Sequence, residues 1–114
     1  MPAKLTTHVL DLTIGKPAAG MRIELWNLDG KPHLLKAVVT NADGRTDAPL
    51  LESGEMAIGR YELLFFVKDY FVTHHRDSLF LDRVPVRFAI PDAAVGYHVP
   101  LLVTPWGYQT YRGS

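Results

Sequence analysis

Apolar and polar residues alternate at a period of two along much of this chain, a pattern typical of half-buried β-strands. The alternation is clearest in residues 84–90, where an apolar side chain stands at every even position. Residues 21–26 show it with the apolar side chains at odd positions, and residues 5–10 repeat it with His8 facing away from the apolar side. Pro85 indicates that strand 84–90 lies at a sheet edge, because proline donates no ladder hydrogen bond.

Further strands follow from composition and from the spacing of turns. Residues 61–67 are almost continuously apolar, which suits a central strand. Residues 34–40 form another predicted strand, residues 49–52 a short one, and two more begin at Tyr97 and Tyr108. Turn-forming residues separate these segments at residues 15–17, 29–30, 41–45 and 91–92.

Residues 68–76 form the predicted helix. Tyr70, Phe71 and His74 fall at helical spacing there, no glycine or proline interrupts the segment, and Asp69 is the expected N-cap. About eight short strands with one short helix predict an all-β fold, a β-sandwich of two sheets. A length of 114 residues fits a single domain, residues 1–114.

Composition excludes several classes of function. Twelve basic and twelve acidic side chains cancel, so no overall field attracts nucleic acid or an anionic membrane. The absence of cysteine excludes disulfides, thiolate nucleophiles and cysteine-ligated metals. No apolar run approaches the ~18 residues of a membrane-spanning helix, and the first residues lack a signal-peptide core, so a cytoplasmic location is expected.

Two histidines lie on strand faces that point away from the core. His98 stands within the apolar strand of residues 97–103, on the face of Pro100 and Leu102. His8 has the same geometry on the first strand, so both imidazoles face one groove if the two strands are neighbours. A histidine titrates near neutral pH and is a common general acid or base, although many outer-face histidines are only solvated.

The other three histidines carry weaker signals. His74 and His75 are adjacent on the predicted helix, where their side chains diverge by about 100° and cannot readily hold one metal ion. His33 is expected in a loop. The sequence therefore predicts no metal site.

Two arginines stand in patterns that suit anion binding. Arg45 follows an Asp-Gly turn, where an ordinary solvated arginine is the alternative reading. Arg112 belongs to the closing Tyr-Arg-Gly-Ser of residues 111–114, and its five fixed donors match planar, acceptor-rich groups. Ser114 offers a hydroxyl or its α-carboxylate, and Tyr111 is either a substrate contact or a structural plug. Strand-forming residues this close to the end of the sequence predict a docked segment.

The chain resembles the 5-hydroxyisourate hydrolases, the transthyretin-related enzymes of urate breakdown, along its whole length and most specifically in residues 97–114, which implies that the two-sheet β-sandwich is transthyretin-like. The resemblance rests on Y-H-V-P-L-L at residues 97–102, P-W-G-Y-Q at 105–109 and Y-R-G-S at 111–114, the last being the most specific. It implies hydrolysis of the ring amide of the small molecule 5-hydroxyisourate to 2-oxo-4-hydroxy-4-carboxy-5-ureidoimidazoline, without a cofactor. It also implies a homotetramer, a dimer of dimers, which agrees with the apolar outer face carrying His8, Leu10, Pro100 and Leu102.

The resemblance implies roles for individual residues. The catalytic set is His8, His98, Arg45 and Ser114, and the substrate-binding set is Arg45, Tyr111, Arg112 and Ser114. In this scheme His98, aided by His8, activates a water molecule, while the arginines hold the substrate and offset charge on its oxygen. Two positions depart from the family pattern, because Gly96 replaces a common histidine and Thr104 replaces the usual serine.

Two other classes of function stay open on the residues alone. The first is a carrier of small aromatic ligands, as in transthyretin, although the Y-R-G-S segment argues against it. The second is an accessory β-sandwich module of a larger assembly. Residues 9–25 and 40–45 are similar to many transthyretin-like modules, since they supply turns and strand alternation that unrelated functions share.

Overall fold

The alternating strand faces pack in the structure as two facing β-sheets. The computed structural model describes residues 3–113. Their strands are β1 (Leu5–Thr6), β2 (Val9–Asp11), β3 (Lys16–Pro17), β4 (Arg22–Asn27), β5 (His33–Val39), β6 (Gly59–Phe65), β7 (Val84–Ile90), β8 (Tyr97–His98), β9 (Leu101–Val103) and β10 (Tyr108–Thr110). One sheet has the order β5-β4-β6-β7, the other has the order β10-β9-β2-β3, and β1 pairs with β8. The predicted all-β sandwich is confirmed.

The core lies between the two sheets. Leu25, Leu63 and Phe65 from one sheet and Val9 and Leu101 from the other are all fully buried in a single apolar cluster. Burial alternates along the strands as predicted, so the side chains at even positions of residues 5–10 stay outside this cluster. The outer face of β1, β2, β8 and β9 is therefore available for chemistry.

Two predicted strands are each divided into two short segments. The parallel pairs β1–β8 and β2–β9 both join residues 92 positions apart, so the register is continuous across the division. The division falls at residues 7–8 and 99–100, where Pro100 has no N–H for a ladder. With β1–β2 and β8–β9 counted as one strand each, the ten strands in residues 3–113 become eight, in agreement with the prediction.

The remaining strand predictions have mixed outcomes. β6 lies inside its sheet and β7 lies at the edge, both as predicted. The strand expected at residues 49–52 is wrong, because Leu51 forms an isolated bridge with Leu5 before a short 3-10 turn at Ser53–Glu55. His33 is the first residue of β5, so its assignment to a loop is also wrong. β3 follows the turn at Gly15 and pairs with β2, which the turn signal alone did not reveal.

The helix α1 (Val67–Thr73) begins one residue and ends three residues earlier than predicted. Its N-cap is Phe66, without a side-chain hydrogen bond, and Asp69 lies in the first turn, so the predicted capping role of Asp69 is wrong. The helix ends because His75 adopts a left-handed φ of 61°. No helix in residues 3–113 combines the length and the apolar character needed to cross a lipid bilayer.

A buried carboxylate fastens the segment after α1 to β2. Asp11 is fully buried and accepts hydrogen bonds from the Tyr70 hydroxyl (2.7 Å) and the Arg76 guanidinium (2.6 Å). Burial would raise the pKa of Asp11, but the bonds from Thr13, Tyr70 and Arg76 outweigh it and lower that pKa. Because Asp11 lies three residues after His8, this network fixes the strand behind the outer face.

Candidate active site

His98 lies on the outer face of β8 with its ring beside β1. Thr6 is its register partner, and the Thr6 hydroxyl oxygen lies 2.8 Å from the Nδ1 atom of the imidazole. The side chains at positions 97 and 99 are buried, whereas His98 is half-buried, as strand parity predicts. Within residues 3–113 the Nε2 atom has no hydrogen-bond partner, so one ring nitrogen is anchored and the other is available.

His8 stands at the division between β1 and β2. Its carbonyl accepts a hydrogen bond from the Leu101 N–H (2.9 Å), and on the inner side the Thr7 hydroxyl donates to the Val99 carbonyl (2.7 Å). These bonds hold the neighbouring strands together where the ladder is interrupted. His8 and His98 therefore share one face of two adjacent strands, which is the condition for a common groove.

Arg45 reaches this face from a turn that lies directly against β2. The Gly44 carbonyl accepts a hydrogen bond from the Val9 N–H (2.8 Å), and Gly44 has a left-handed φ of 71°. A Cβ atom at Gly44 would lie 2.3 Å from the Val9 carbonyl oxygen, so the backbones approach this closely only with glycine. The glycine of the Asp-Gly pair thus brings Arg45 beside the strand of His8.

Asn41 organises the same turn, although motif reasoning misses it. Its backbone N–H donates to the Arg45 carbonyl (2.8 Å), and its side-chain oxygen accepts from the backbone N–H groups of Asp43 (2.9 Å) and Arg45 (3.2 Å). Its side-chain amide donates to the Asp47 carboxylate (3.0 Å). An asparagine placed shortly before Asp-Gly is the available sequence signal, because asparagine side chains cap tight turns in this way.

A small cavity lies between β1 and the Arg45 turn. Its volume is about 120 Å³, and it is lined by Thr6, Thr7, Arg45, Thr46 and Pro49. The Thr6 hydroxyl also contacts the His98 ring, so one residue joins this cavity to the imidazole. Arg45 lines the cavity, and Thr6 connects it to His98 on the outer face.

The electrostatic environment keeps His98 neutral. Burial lowers the pKa of His98 below its ordinary value of 6.5, and its electrostatic interactions with Arg45 and His8 lower that pKa further. At neutral pH the imidazole therefore carries one proton and has a lone pair that can accept a second one. The effect of His8 on the His98 pKa agrees with the strand pairing that places the two histidines on one face.

The segment after β10 continues towards His98. β10 pairs with β9 in an antiparallel register, and the same register joins Gly113 to His98, whose carbonyl accepts the Gly113 N–H (2.6 Å). Between the β9–β10 ladder and the Gly113–His98 bridge, Pro100 offers no N–H, and residues 111–112 are not paired in a strand. A Cβ atom at Gly113 would lie 2.9 Å from the Cδ2 atom of the His98 ring, so any larger residue would force the ring or the segment to move.

Arg112 and Tyr111 line a different space from Arg45. The Arg112 guanidinium lies over the Tyr97 ring, 4.9 Å from its centroid, and donates to the Gly96 carbonyl (3.0 Å). Tyr97 is buried on the strand face opposite His98. Arg112 and Tyr111 border a largely apolar cleft of about 410 Å³ beside β7. The two predicted substrate-binding arginines therefore line separate cavities of this chain.

Ser114, predicted to be both catalytic and substrate-binding, lies outside the described residues. Among residues 3–113, no three side chains of His, Asp or Glu cluster closely enough to hold a metal ion. The groups that converge on the outer face are thus His98, His8, Arg45 and the hydroxyl of Thr6.

Similarity to known proteins extends along the whole chain. The model of the HIUase/transthyretin family matches residues 5–113. The curated 5-hydroxyisourate hydrolase 2 of Rhizobium meliloti (strain 1021) is 52% identical over 97% of this chain and 96% of that protein. A solved structure of Klebsiella pneumoniae 5-hydroxyisourate hydrolase is 35% identical, with a TM-score of 0.79 and coverage of 98% of this chain and 99% of that one. A chain in the crystal structure of (S)-allantoin synthase is 44% identical with a TM-score of 0.93, and 98% of this chain spans 44% of that chain.

Proposed function

We propose that this chain, which belongs to the HIUase/transthyretin family, is a 5-hydroxyisourate hydrolase. The observation that carries the activity is the near-full-length similarity to a curated hydrolase of that name. The resemblance read from residues 97–102 and 111–114 pointed to the same activity. The reaction opens the six-membered ring amide of the substrate and yields 2-oxo-4-hydroxy-4-carboxy-5-ureidoimidazoline.

The proposed nucleophile is a water molecule activated by His98. The lowered pKa of His98 keeps the ring neutral, and its Nε2 atom has no partner within residues 3–113. As the water oxygen bonds to the ring carbonyl carbon, Nε2 takes the proton of the water. The carbon–nitrogen bond then breaks, the leaving nitrogen takes a proton, and the carbonyl carbon becomes a carboxyl group. Water and substrate supply every atom of the product, so no cofactor is needed.

Arg45 is the proposed stabiliser of the charge that develops on the carbonyl oxygen. It lines the small cavity that Thr6 also lines, and its backbone is held in place by the turn built on Gly44 and Asn41. A fixed positive charge that meets negative charge only in the transition state lowers the barrier to reaction. His8, on the same face and close enough to affect the pKa of His98, is the second histidine of the proposed catalytic set.

The segment of residues 111–113 completes the proposed site from the other side of His98. The Gly113 N–H bond to the His98 carbonyl supports this placement, since it holds the segment against the catalytic ring. Tyr111, Arg112 and Ser114 stay predicted substrate contacts. For Arg112, the anchoring on Tyr97 and Gly96 also supports a role in docking the segment.

A direct assay tests the activity. 5-Hydroxyisourate is generated in situ from urate, and the decay of its absorbance is followed with and without the protein. We expect the decay to be faster in proportion to protein concentration. Saturable binding of the compound without faster decay would favour a small-ligand carrier instead, and neither binding nor turnover would favour an accessory module.

The Arg45→Gln variant should change the pH profile as well as the rate. Activity needs neutral His98, so it falls as the pH drops through the His98 pKa, which lies below 6.5 in the parent protein. Removing the Arg45 charge removes one cause of that lowering, so the acidic limb of kcat/KM should move to higher pH. Arg60→Gln, at an exposed ion pair with Asp29 on the other sheet, is the control and should leave the limb unmoved. An unchanged limb in both variants would contradict the proposed interaction.

The homotetramer, a dimer of dimers, stays a prediction, as does the cytoplasmic location. Pro100 is already buried within the chain, so it adds nothing to the exposed apolar surface, contrary to expectation. Exposed Leu12, Ile14 and Trp106 supply such a surface instead. Light scattering at micromolar concentration should report four chains of 12.8 kDa, and a monomer would contradict the prediction.

A further inference from the structure

The hydrogen bond between Thr6 and His98 joins a residue without an assigned role to the proposed catalytic base. The two atoms, Thr6 Oγ1 and His98 Nδ1, lie 2.8 Å apart in a partly buried position. Within residues 3–113 the Thr6 hydroxyl makes no other hydrogen bond. The hydroxyl can either donate to Nδ1 or accept from it, and the choice determines which ring nitrogen carries the proton of neutral His98.

The two choices have opposite consequences for the reaction. If Thr6 donates, Nδ1 holds the lone pair and Nε2 carries the proton, so the available nitrogen cannot accept a proton from water. If Nδ1–H donates to Thr6, the lone pair lies on Nε2, which has no other partner within residues 3–113. A general base at this position requires the second arrangement.

We propose that Thr6 is a positioning residue that accepts the Nδ1–H of His98 and so leaves Nε2 unprotonated for the substrate water. The inference deepens the function proposed above and rests on His98 acting as the base. Thr6 would act through the imidazole, in the way that outer partners of histidine fix its tautomer and ring orientation.

The surrounding structure holds both partners rigidly enough for such a role. The Thr6 carbonyl accepts the Val99 N–H (2.9 Å), and the Lys4 carbonyl accepts the Tyr97 N–H (2.9 Å), so the two strands are tied on both sides of the pair. Threonine is β-branched, which restricts its side-chain rotamer in a strand. Gly113 packs against the Cδ2 side of the ring, so His98 is confined by a contact besides that of Thr6.

The nearby charges favour a neutral ring in either tautomer and do not select between them. Within residues 3–113, the charged or titratable groups that shift the His98 pKa are Arg45 and His8, and both disfavour a second proton. Selection of the tautomer therefore falls to the hydrogen bond at Nδ1. This separates the role of Thr6 from that of Arg45, which acts on the protonation state and on the substrate.

The tautomer can be measured without substrate, by ¹⁵N NMR of protein labelled at histidine and held at a pH where His98 is neutral. The His98 signals are assigned by their loss in His98→Asn. We expect the parent protein to show a protonated Nδ1 and an unprotonated Nε2. Thr6→Val, which keeps the shape and removes the hydroxyl, should give a mixture of tautomers, and Thr6→Ser should restore the parent pattern. A protonated Nε2 in the parent, or an unchanged tautomer in Thr6→Val, would overturn the proposal.

Kinetics on the same variants distinguish positioning from substrate contact. Loss of one hydrogen bond to the base should lower kcat about tenfold in Thr6→Val, with KM nearly unchanged and near-parent turnover in Thr6→Ser. A raised KM with an unchanged tautomer would make Thr6 a substrate contact and end the proposal. If the parent protein does not hydrolyse 5-hydroxyisourate at all, the proposed function fails, while the NMR result still decides what Thr6 does to His98.

Discussion

Replacing His98 with asparagine should lower turnover by roughly two to four orders of magnitude, the usual contribution of a positioned acid–base group. Asparagine can keep a hydrogen bond to the Thr6 hydroxyl, but its amide cannot accept a proton at neutral pH. The ring lies outside the buried cluster, so the fold should survive the change. Steady-state kinetics on 5-hydroxyisourate and a thermal melt of the same sample measure the two effects.

The matched control for this variant is His33→Asn. His33 is exposed at the start of β5, in the sheet opposite the candidate site, so we expect parent turnover and parent stability. If folded His98→Asn protein turned over at the parent rate, His98 would be a bystander and the activated-water mechanism would fail. An equal loss in both variants would indicate an indirect effect on the assay or on the fold.

Deletion of residues 111–114 should lower kcat/KM by at least roughly 100-fold with only a modest loss of stability. The deletion removes the Gly113 bond to the His98 carbonyl and the Arg112 contact with Tyr97, which together hold the segment against the catalytic ring. It removes no residue of the apolar core. The predicted contacts of this segment with substrate form only when substrate is bound, so activity should suffer far more than folding.

Gly113→Ala provides a sharper version of the same test. The added Cβ would meet the His98 ring at 2.9 Å, so either the ring or the segment has to move, while every other residue of the segment is kept. We expect a loss of kcat/KM in the same direction as the deletion. If the deletion instead lowered the melting temperature strongly and spared turnover, the segment would serve the fold and its place in the active site would be refuted.

The strand faces could be predicted from the sequence because side-chain direction in a strand depends only on local geometry. The alternation around His8 and His98 placed both on outer faces, and the structure shows both half-buried there. Pro85 placed β7 at an edge for an equally local reason, the missing N–H. Predictions failed where the structure of a segment depends on its pairing with a distant part of the chain. Residues 49–52 form a single β-bridge, between Leu51 and Leu5, instead of a strand. The residues of that segment do not themselves show how many of them pair with a distant strand.

By itself the sequence determined the all-β sandwich, the family and the outward position of the two histidines, because these follow from residue identity and a period of two. Only the tertiary structure decided which residues share a site. The parallel register places Thr6 beside His98, 92 positions later, and the close approach of Gly44 to Val9 carries Arg45 to the same face. The packing of Arg112 on Tyr97 places that arginine at a separate cleft beside β7. Register and backbone packing between distant segments are set by all their contacts at once, so no single motif encodes them.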